Sequence, residues 1–171
     1  MLKITGWGRI GFLNEVFPDA LFIHLVRDGR AFVNSTTGTS WWKGWAGPQN
    51  WQWGLLSEEQ LETWEQYERS YLALAGIQWR MLTEEIERSA KHLGPDRYLL
   101  VRYEDLCGDA NTIVSKLLEF AALAPSPRLI KRIRKYNLEN RNNKWREDLT
   151  QLQQDRLQEQ LDPLLSRFGY T

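Results

Sequence analysis

The chain has 171 residues, and its 22 Lys and Arg are balanced by 22 Asp and Glu, so the net charge is zero. This length predicts one domain over residues 1–171, and the neutral balance argues against general attraction to nucleic acid or to an anionic membrane. The longest apolar run, residues 20–26, is too short to span a bilayer. A single cysteine, Cys107, excludes an internal disulfide, and the first residues lack a signal-peptide pattern. We therefore expect a cytoplasmic protein without membrane insertion.

The first regular elements are a short strand and a short helix. Residues 21–26 form a β-rich apolar run after the turn signal Phe17-Pro18-Asp19, which predicts a strand buried on both faces. Residues 27–30 end the strand and open a helix over about residues 31–37. This order predicts the first half of a strand-helix-strand unit.

A long helix and a second strand follow. Ser57 and Gln60 have the spacing of a capping box, which predicts an amphipathic helix from Ser57 to about His92, with Gly76 as the expected bend point. Residues 98–102 are again a short apolar run and predict a second strand. Strands separated by helices indicate the α/β class with a parallel sheet and flanking helices.

Three further helices are expected after the second strand. Asp109 caps a helix to about Leu123, Pro125 and Pro127 begin the next one, and Thr150 caps a last helix that ends near residue 168. The middle helix carries four cations, which we interpret as a solvated face: Lys131, Arg132, Arg134 and Lys135.

Gly6, Gly8 and Gly11 match the G-x-G-x-x-G pattern of dinucleotide-binding proteins, and Asp28 follows 17 residues after the last glycine. The pattern requires a genuine strand before it, and only about residues 2–5 are available. We therefore prefer a glycine-rich loop before a short helix and keep NAD-dependent redox chemistry as an alternative.

Arg27 and Ser35 stand eight residues apart across the first strand-to-helix turn. A guanidinium can bind a phosphate bidentately, and the free N–H groups and dipole of a helix start favour an anion. The sequence therefore predicts an anion site here. The alternative is a structural ion pair between Arg27 and Asp28 or Glu104.

Three blocks of the chain resemble successive blocks of sulfotransferases that use 3′-phosphoadenosine 5′-phosphosulfate. They are F-P-D-A-L-F-I-H-L-V-R-D-G-R at residues 17–30, R-Y-E-D-L at residues 102–106 and K-W-R-E-D-L at residues 144–149. The resemblance covers nearly the whole chain and implies the P-loop-NTPase-like sulfotransferase fold of the bacterial-type members. A nucleotide kinase is the alternative among similar folds.

The resemblance also implies binding roles. Arg27 and Ser35 would bind the 3′-phosphate of the nucleotide, and Tyr103 would line the adenine pocket, where its ring face can stack on a purine. Arg141 and Lys144 are the cations available for further 3′-phosphate contacts, although the usual motif of that segment is not matched.

Lys3 stands where the resemblance places a catalytic lysine near the transferring sulfuryl group, and Thr5 stands where some relatives have a histidine base. A threonine hydroxyl is a poor base at neutral pH, so the general base is not identified. His24 lies in a strand among apolar neighbours, and we expect it in the core.

Five tryptophans lie within thirteen residues of a glycine-containing loop, which leaves three interpretations. Trp41, Trp42 and Trp45 could form a wall for a small-molecule or carbohydrate acceptor, the cluster could bind a partner, or the rings could pack locally. Aromatic residues of the long helix recur at helical spacing and are expected in the core: Trp64, Tyr67, Tyr71 and Trp79.

The resemblance implies transfer of a sulfuryl group to a hydroxyl or amine, which leaves 3′,5′-adenosine bisphosphate. The family's 5′-phosphosulfate loop belongs upstream of the matched blocks, and no G-x-x-x-x-G-K-[ST] occurs here. We therefore expect an enzyme that lacks this loop and can be inactive without it, a divergent form of the enzyme, or a noncatalytic module that binds a nucleotide or a partner. No metal site is expected, and an exposed sheet edge would favour self-association.

Overall fold

A computed structural model describes residues 1–135 and 141–170, except for the side chain of Arg134. The described residues group into two compact units, one of residues 1–27 and 84–135 and one of residues 28–83 and 141–170. Within those ranges, no helix combines the length and the apolar character needed to cross a bilayer. The expectation of one domain stays a prediction.

The elements are α1 (Ile10–Val16), β1 (Phe22–Val26), α2 (Gly29–Thr37), α3 (Glu58–Gln66), α4 (Tyr71–Ala90), β2 (Tyr98–Arg102), α5 (Tyr103–Gly108), α6 (Ala110–Phe120), α7 (Pro127–Lys135), α8 (Lys144–Asp148) and α9 (Gln151–Arg167).

The two predicted strands form a parallel pair in the first unit. β1 pairs with β2 in register from Phe22 opposite Tyr98 to Val26 opposite Arg102, which confirms the parallel α/β class. The prediction that the first strand is buried on both faces is wrong. His24 and Val26 are buried, but Ile23 is 45% exposed and Leu25 is 50% exposed. An apolar run alone cannot tell whether a second layer covers each face of a strand.

The glycine-rich segment at the start of the chain is a loop that leads into α1. Residues 1–9 contain neither helix nor strand, so the strand that a dinucleotide-binding turn requires is missing and that alternative is wrong. Gly8 has a packing role, because a Cβ there would lie 2.6 Å from a side-chain carbon of Ile86. The segment is therefore an entry loop before a short helix, as predicted.

The predicted long helix is interrupted in the second unit. Ser57 and Gln60 form the expected capping box, but α3 ends at Gln66 and α4 begins at Tyr71. Between them Glu68 and Arg69 have positive φ angles of 56° and 54°. The prediction of one continuous helix is therefore wrong. The interruption does not fall at Gly76, the expected bend point, which lies within α4.

The core of the second unit contains part of the tryptophan-rich segment. Trp51 packs with Leu74 and Ile77, and Trp53 and Trp64 lie against this cluster. Of the aromatic residues predicted in the core, Tyr67 and Trp79 are buried, whereas Tyr71 is exposed. The prediction for Tyr71 is wrong because it is the first residue of α4, where the helix has just begun.

The capping signals of the later helices are confirmed. Asp109 accepts a hydrogen bond from the backbone N–H of Thr112 at the start of α6, and Thr150 forms a capping box with Gln153 at the start of α9. Three of the four α7 cations are exposed as predicted, namely Lys131, Arg132 and Lys135. The fourth is Arg134, whose side chain lies outside the described part.

Candidate functional site

Arg27 and Tyr103 meet at the carboxyl edge of the parallel strands in the first unit. They directly follow Val26 and Arg102, which are paired in the sheet, so the register brings them side by side. The guanidinium carbon of Arg27 lies 5.1 Å from the centroid of the Tyr103 ring, within the range of a cation–π contact. Ligands of open α/β sheets bind beyond this edge.

The pKa of Tyr103 depends on three neighbours, which are Cys107, Arg27 and Glu104, and on burial. Its hydrogen bond with the Cys107 side chain, followed by burial, raises the pKa of the Tyr103 hydroxyl, and the Arg27 charge acts in the opposite direction. The ring is therefore neutral and partly buried, with a cation on one face. Such a pair suits a ligand that has both an anionic group and a flat ring.

The next three residues, Asp28, Gly29 and Arg30, begin α2 in the second unit. Asp28 caps the helix by accepting a hydrogen bond from the backbone N–H of Arg30 at 2.8 Å. The same carboxylate accepts hydrogen bonds from the Arg30 guanidinium, with Nη2 at 2.8 Å. Asp28 therefore has a structural role in the second unit.

Ser35, Arg141 and Lys144 all lie in the second unit. Ser35 is exposed on α2, and Lys144 is the exposed first residue of α8. Arg141 is exposed just before α8. Because α2 packs against α8, the structure places the predicted hydroxyl and one predicted cation on neighbouring helices.

The three tryptophans predicted to contact an acceptor have different environments. Trp42 is 2% exposed, and its Nε1 donates a hydrogen bond to Oε1 of Gln78 at 2.7 Å, so it is an interior packing residue. Trp41 is 58% exposed and Trp45 is 65% exposed. Gly44 allows this arrangement, because a Cβ there would lie 2.2 Å from the Trp42 ring. Trp41 and Trp45 are therefore the exposed rings of the three, and Trp42 offers no ring face to a ligand.

Comparison with known families identifies the chain's relatives. A family model described as the sulfotransferase family matches residues 5–128, which include both strands, Arg27, Ser35 and Tyr103. The chain belongs to the sulfotransferase family. This match decides against the nucleotide kinase alternative.

A solved structure agrees with the family. The chain resembles the "Sulfotransferase Domain from the Curacin Biosynthetic Pathway" with a TM-score of 0.60 and 17% sequence identity. The likeness covers 94% of this chain and 58% of that chain, so this chain spans little more than half the length of the relative. A search of curated proteins finds no match. At this identity the likeness shows the fold, and it confirms the predicted α/β sulfotransferase fold with a parallel sheet.

The residues with a predicted catalytic role lie before α1. Lys3 and Thr5 are both exposed in the loop of residues 1–9. His24 is buried in β1, as predicted, with its Nδ1 2.7 Å from the hydroxyl of Tyr98. Burial lowers the pKa of His24 to about 4, so the imidazole is neutral at physiological pH. A buried, neutral imidazole in the sheet acts as a core residue, as predicted.

The sequence pattern did not identify Arg30, which lies on the same helix as Ser35. Arg30 is 4% exposed, and its guanidinium carbon lies 4.6 Å from the ring centroid of Trp145. The spacing of Asp28 and Arg30 is a local signal that could have predicted their ion pair. The contact with Trp145, 115 residues further along, has no such signal. Trp145 itself is buried.

Proposed function

We propose that the chain binds 3′-phosphoadenosine 5′-phosphosulfate and transfers its sulfuryl group to a hydroxyl or amine of a small-molecule or carbohydrate acceptor. The observation that carries the proposal is the position of Arg27, 5.1 Å above the Tyr103 ring, just beyond the carboxyl ends of two parallel strands. A cation next to an aromatic face suits a phosphate next to a purine. Family membership supports this assignment.

Ser35, Arg141 and Lys144 are the proposed further ligands of the 3′-phosphate. A hydroxyl and two cations are the groups that bind a phosphate dianion, and all three are exposed on the second unit. Because the chain as a whole is neutral, attraction of the nucleotide depends on such local cations and not on net charge. The side chains present therefore fit a phosphorylated nucleoside.

In this proposal each residue acts on a defined atom. The Arg27 guanidinium and the Ser35 hydroxyl donate hydrogen bonds to the 3′-phosphate oxygens. The nucleotide supplies an activated sulfuryl group. Lys3 is the proposed catalytic residue, because its ammonium neutralises charge that develops on the leaving phosphate. Trp41 and Trp45 offer exposed ring faces on which an apolar or sugar acceptor can stack.

Transfer of sulfur-35 from labelled 3′-phosphoadenosine 5′-phosphosulfate to a panel of phenols, sugars and amines tests the proposal. We expect a labelled product from at least one acceptor class and a loss of at least about tenfold in rate for Lys3→Ala, the range of an electrostatic contact in the transition state. Lys91→Ala is the matched control, since Lys91 is an exposed lysine of the same unit outside the proposed site.

The second candidate function is a noncatalytic binding module, which the strongly exposed Trp41 and Trp45 rings favour. The transfer assay, together with a measurement of nucleotide binding, separates the two. Nucleotide binding without labelled product for any acceptor would support the module and contradict the enzyme. Absence of nucleotide binding by the folded chain would contradict the nucleotide site in both.

A further inference from the structure

The helix that carries Lys144 cannot hold itself in place. α8 has five residues, and isolated helices shorter than about 12 residues are marginal in water. The position of Lys144, its first residue, is therefore set by the contacts that α8 makes with the rest of the second unit. Those contacts lead to two buried side chains, Arg30 and Trp145.

Trp145 is the buried anchor of α8. Two guanidinium groups lie over its ring, with the Arg30 carbon 4.6 Å and the Arg146 carbon 4.4 Å from the ring centroid. Both distances are within the range of a cation–π contact. Trp145 is the residue directly after Lys144, so a shift of the ring moves the proposed phosphate ligand with it.

Arg30 is held on its other sides by hydrogen bonds. Its Nε and Nη2 donate to the two carboxylate oxygens of Asp28, and its Nη1 donates to Oε1 of Gln158 on α9. The guanidinium therefore connects three helices: it belongs to α2, contacts Trp145 of α8, and binds a side chain of α9. A planar group with five fixed N–H donors suits such a junction.

Two further residues, one on α2 and one on α9, hold the later part of α8 through hydrogen bonds. Asn34, next to Ser35 on α2, donates a hydrogen bond from Nδ2 to Oδ2 of Asp148 at 2.7 Å. Gln154 of α9 donates to the backbone carbonyls of Arg146 at 3.0 Å and Leu149 at 2.8 Å. α8 is therefore held in place by contacts with two helices, α2, which carries Ser35, and α9.

We propose that Arg30 and Trp145 are positioning residues for recognition of the 3′-phosphate: they hold Lys144 beside the helix that presents Ser35. The inference rests on the proposed nucleotide function. A buried ion pair adds little net stability compared with apolar side chains of the same volume, so stability alone does not account for a charge at this junction. A fixed register between α2 and α8 does.

The test compares two nucleotides that differ by one phosphate. Isothermal titration calorimetry measures the Kd for adenosine 5′-monophosphate and for 3′,5′-adenosine bisphosphate, and the ratio of the two isolates the contribution of the 3′-phosphate. Trp145→Leu keeps apolar volume but removes the ring. We expect it to reduce the ratio of the monophosphate Kd to the bisphosphate Kd at least tenfold, while the monophosphate Kd itself stays unchanged. Trp145→Phe restores a ring face and should recover most of the ratio.

A control separates positioning from general destabilisation. Ile77→Val trims the buried core of the same unit away from α8, so it should lower the Tm and leave the ratio at the wild-type value. Asp148→Ala is a second test variant for the case that Trp145→Leu does not fold, because Asp148 is exposed and its loss breaks the link to Asn34. We expect Asp148→Ala to lower the ratio about threefold.

The outcomes are distinct. A wild-type ratio near one contradicts the proposed function, and the positioning role falls with it. A wild-type preference for the bisphosphate that Trp145→Leu or, if that variant is unfolded, Asp148→Ala leaves intact contradicts the positioning role alone. Loss of the ratio in Ile77→Val as well would show that it follows stability, which also overturns the positioning role.

Discussion

Gly29 stands where a side chain has no room. A Cβ at this position would lie 2.8 Å from two ring atoms of Trp79 and 3.0 Å from a methyl group of Leu161. Its neighbours Asp28 and Arg30 are committed to the cap and the buried ion pair. The start of α2 is therefore determined residue by residue, and the D-G-R part of the family-like block has a structural explanation.

Gly29→Ala should lower the free energy of unfolding by about 1–3 kcal/mol, the usual cost of overpacking a well-packed interior. Chemical denaturation monitored by tryptophan fluorescence measures it. Gly11→Ala is the matched control, because a Cβ there meets nothing within 4 Å and Gly11 lies within α1. Alanine is the better helix former, so this control should be neutral or slightly stabilising. Equal losses in both variants would contradict the close approach at Gly29.

His24 gives the chain a specific dependence of stability on pH. Burial lowers its pKa to about 4 in the folded chain from the ordinary value of 6.5. Between these two values the unfolded state binds more protons than the folded state, so stability falls as the pH drops from 6.5 towards 4. The loss is complete below the folded pKa and amounts to about 3 kcal/mol.

His24→Gln tests this dependence, since glutamine does not titrate but keeps a polar group near Tyr98. We expect the unfolding free energy of the wild type to fall by about 3 kcal/mol more than that of the variant between pH 7 and pH 4. Urea unfolding at several pH values measures the difference. Parallel curves for the two proteins would show that His24 titrates normally in the folded chain.

At the scale of elements, the interruption between α3 and α4 is the main departure from the pattern in the sequence. Arg156 of α9 donates two hydrogen bonds of 2.9 Å to the Glu68 carboxylate, and this pair lowers the pKa of Glu68. Ser70 accepts a hydrogen bond from the backbone N–H of Leu72 at 3.1 Å and helps α4 to begin. Residues 67–70 are therefore a turn supported by a partner 88 residues away in the chain.

Arg69→Gly distinguishes a turn from a continuous helix. Arg69 has a φ of 54°, a conformation that favours glycine, so we expect the variant to be as stable as the wild type or up to about 1 kcal/mol more stable. Glu62→Gly, at an exposed position inside α3, should instead cost about 1 kcal/mol. A loss of that size at Arg69 in thermal unfolding would contradict the interruption.

At the scale of the whole molecule, local patterns predicted much of the fold. The two strands and the capping residues Ser57, Asp109 and Thr150 depend on neighbours a few residues away, and all are confirmed. The parallel pairing joins distant segments, and it is confirmed because the order of strands and helices along the chain predicts it. The exposed face of β1 could not be predicted, because it depends on which elements cover the sheet.

Long-range contacts explain what the sequence could not predict about the candidate site. Trp42 and Trp41 are neighbours in the sequence, but Trp42 is buried, with a hydrogen bond to Gln78. Gln78 lies 36 residues further along the chain, so local sequence could not predict this contact. Arg30 binds Gln158 across 128 residues. The proposed roles of Lys3, Arg27, Ser35 and Tyr103 came from the family resemblance and remain predictions.

The most direct test of the nucleotide site is thermal unfolding of the chain with and without 3′,5′-adenosine bisphosphate. A ligand at 100 times its Kd stabilises the folded state by about 2.7 kcal/mol, roughly 5–10 °C for a chain of this size. We predict such a shift for the wild type, its loss in Arg27→Ala, and its retention in Arg88→Ala, an exposed arginine of the same unit. A folded wild type whose Tm does not change at millimolar bisphosphate would contradict nucleotide binding by this chain.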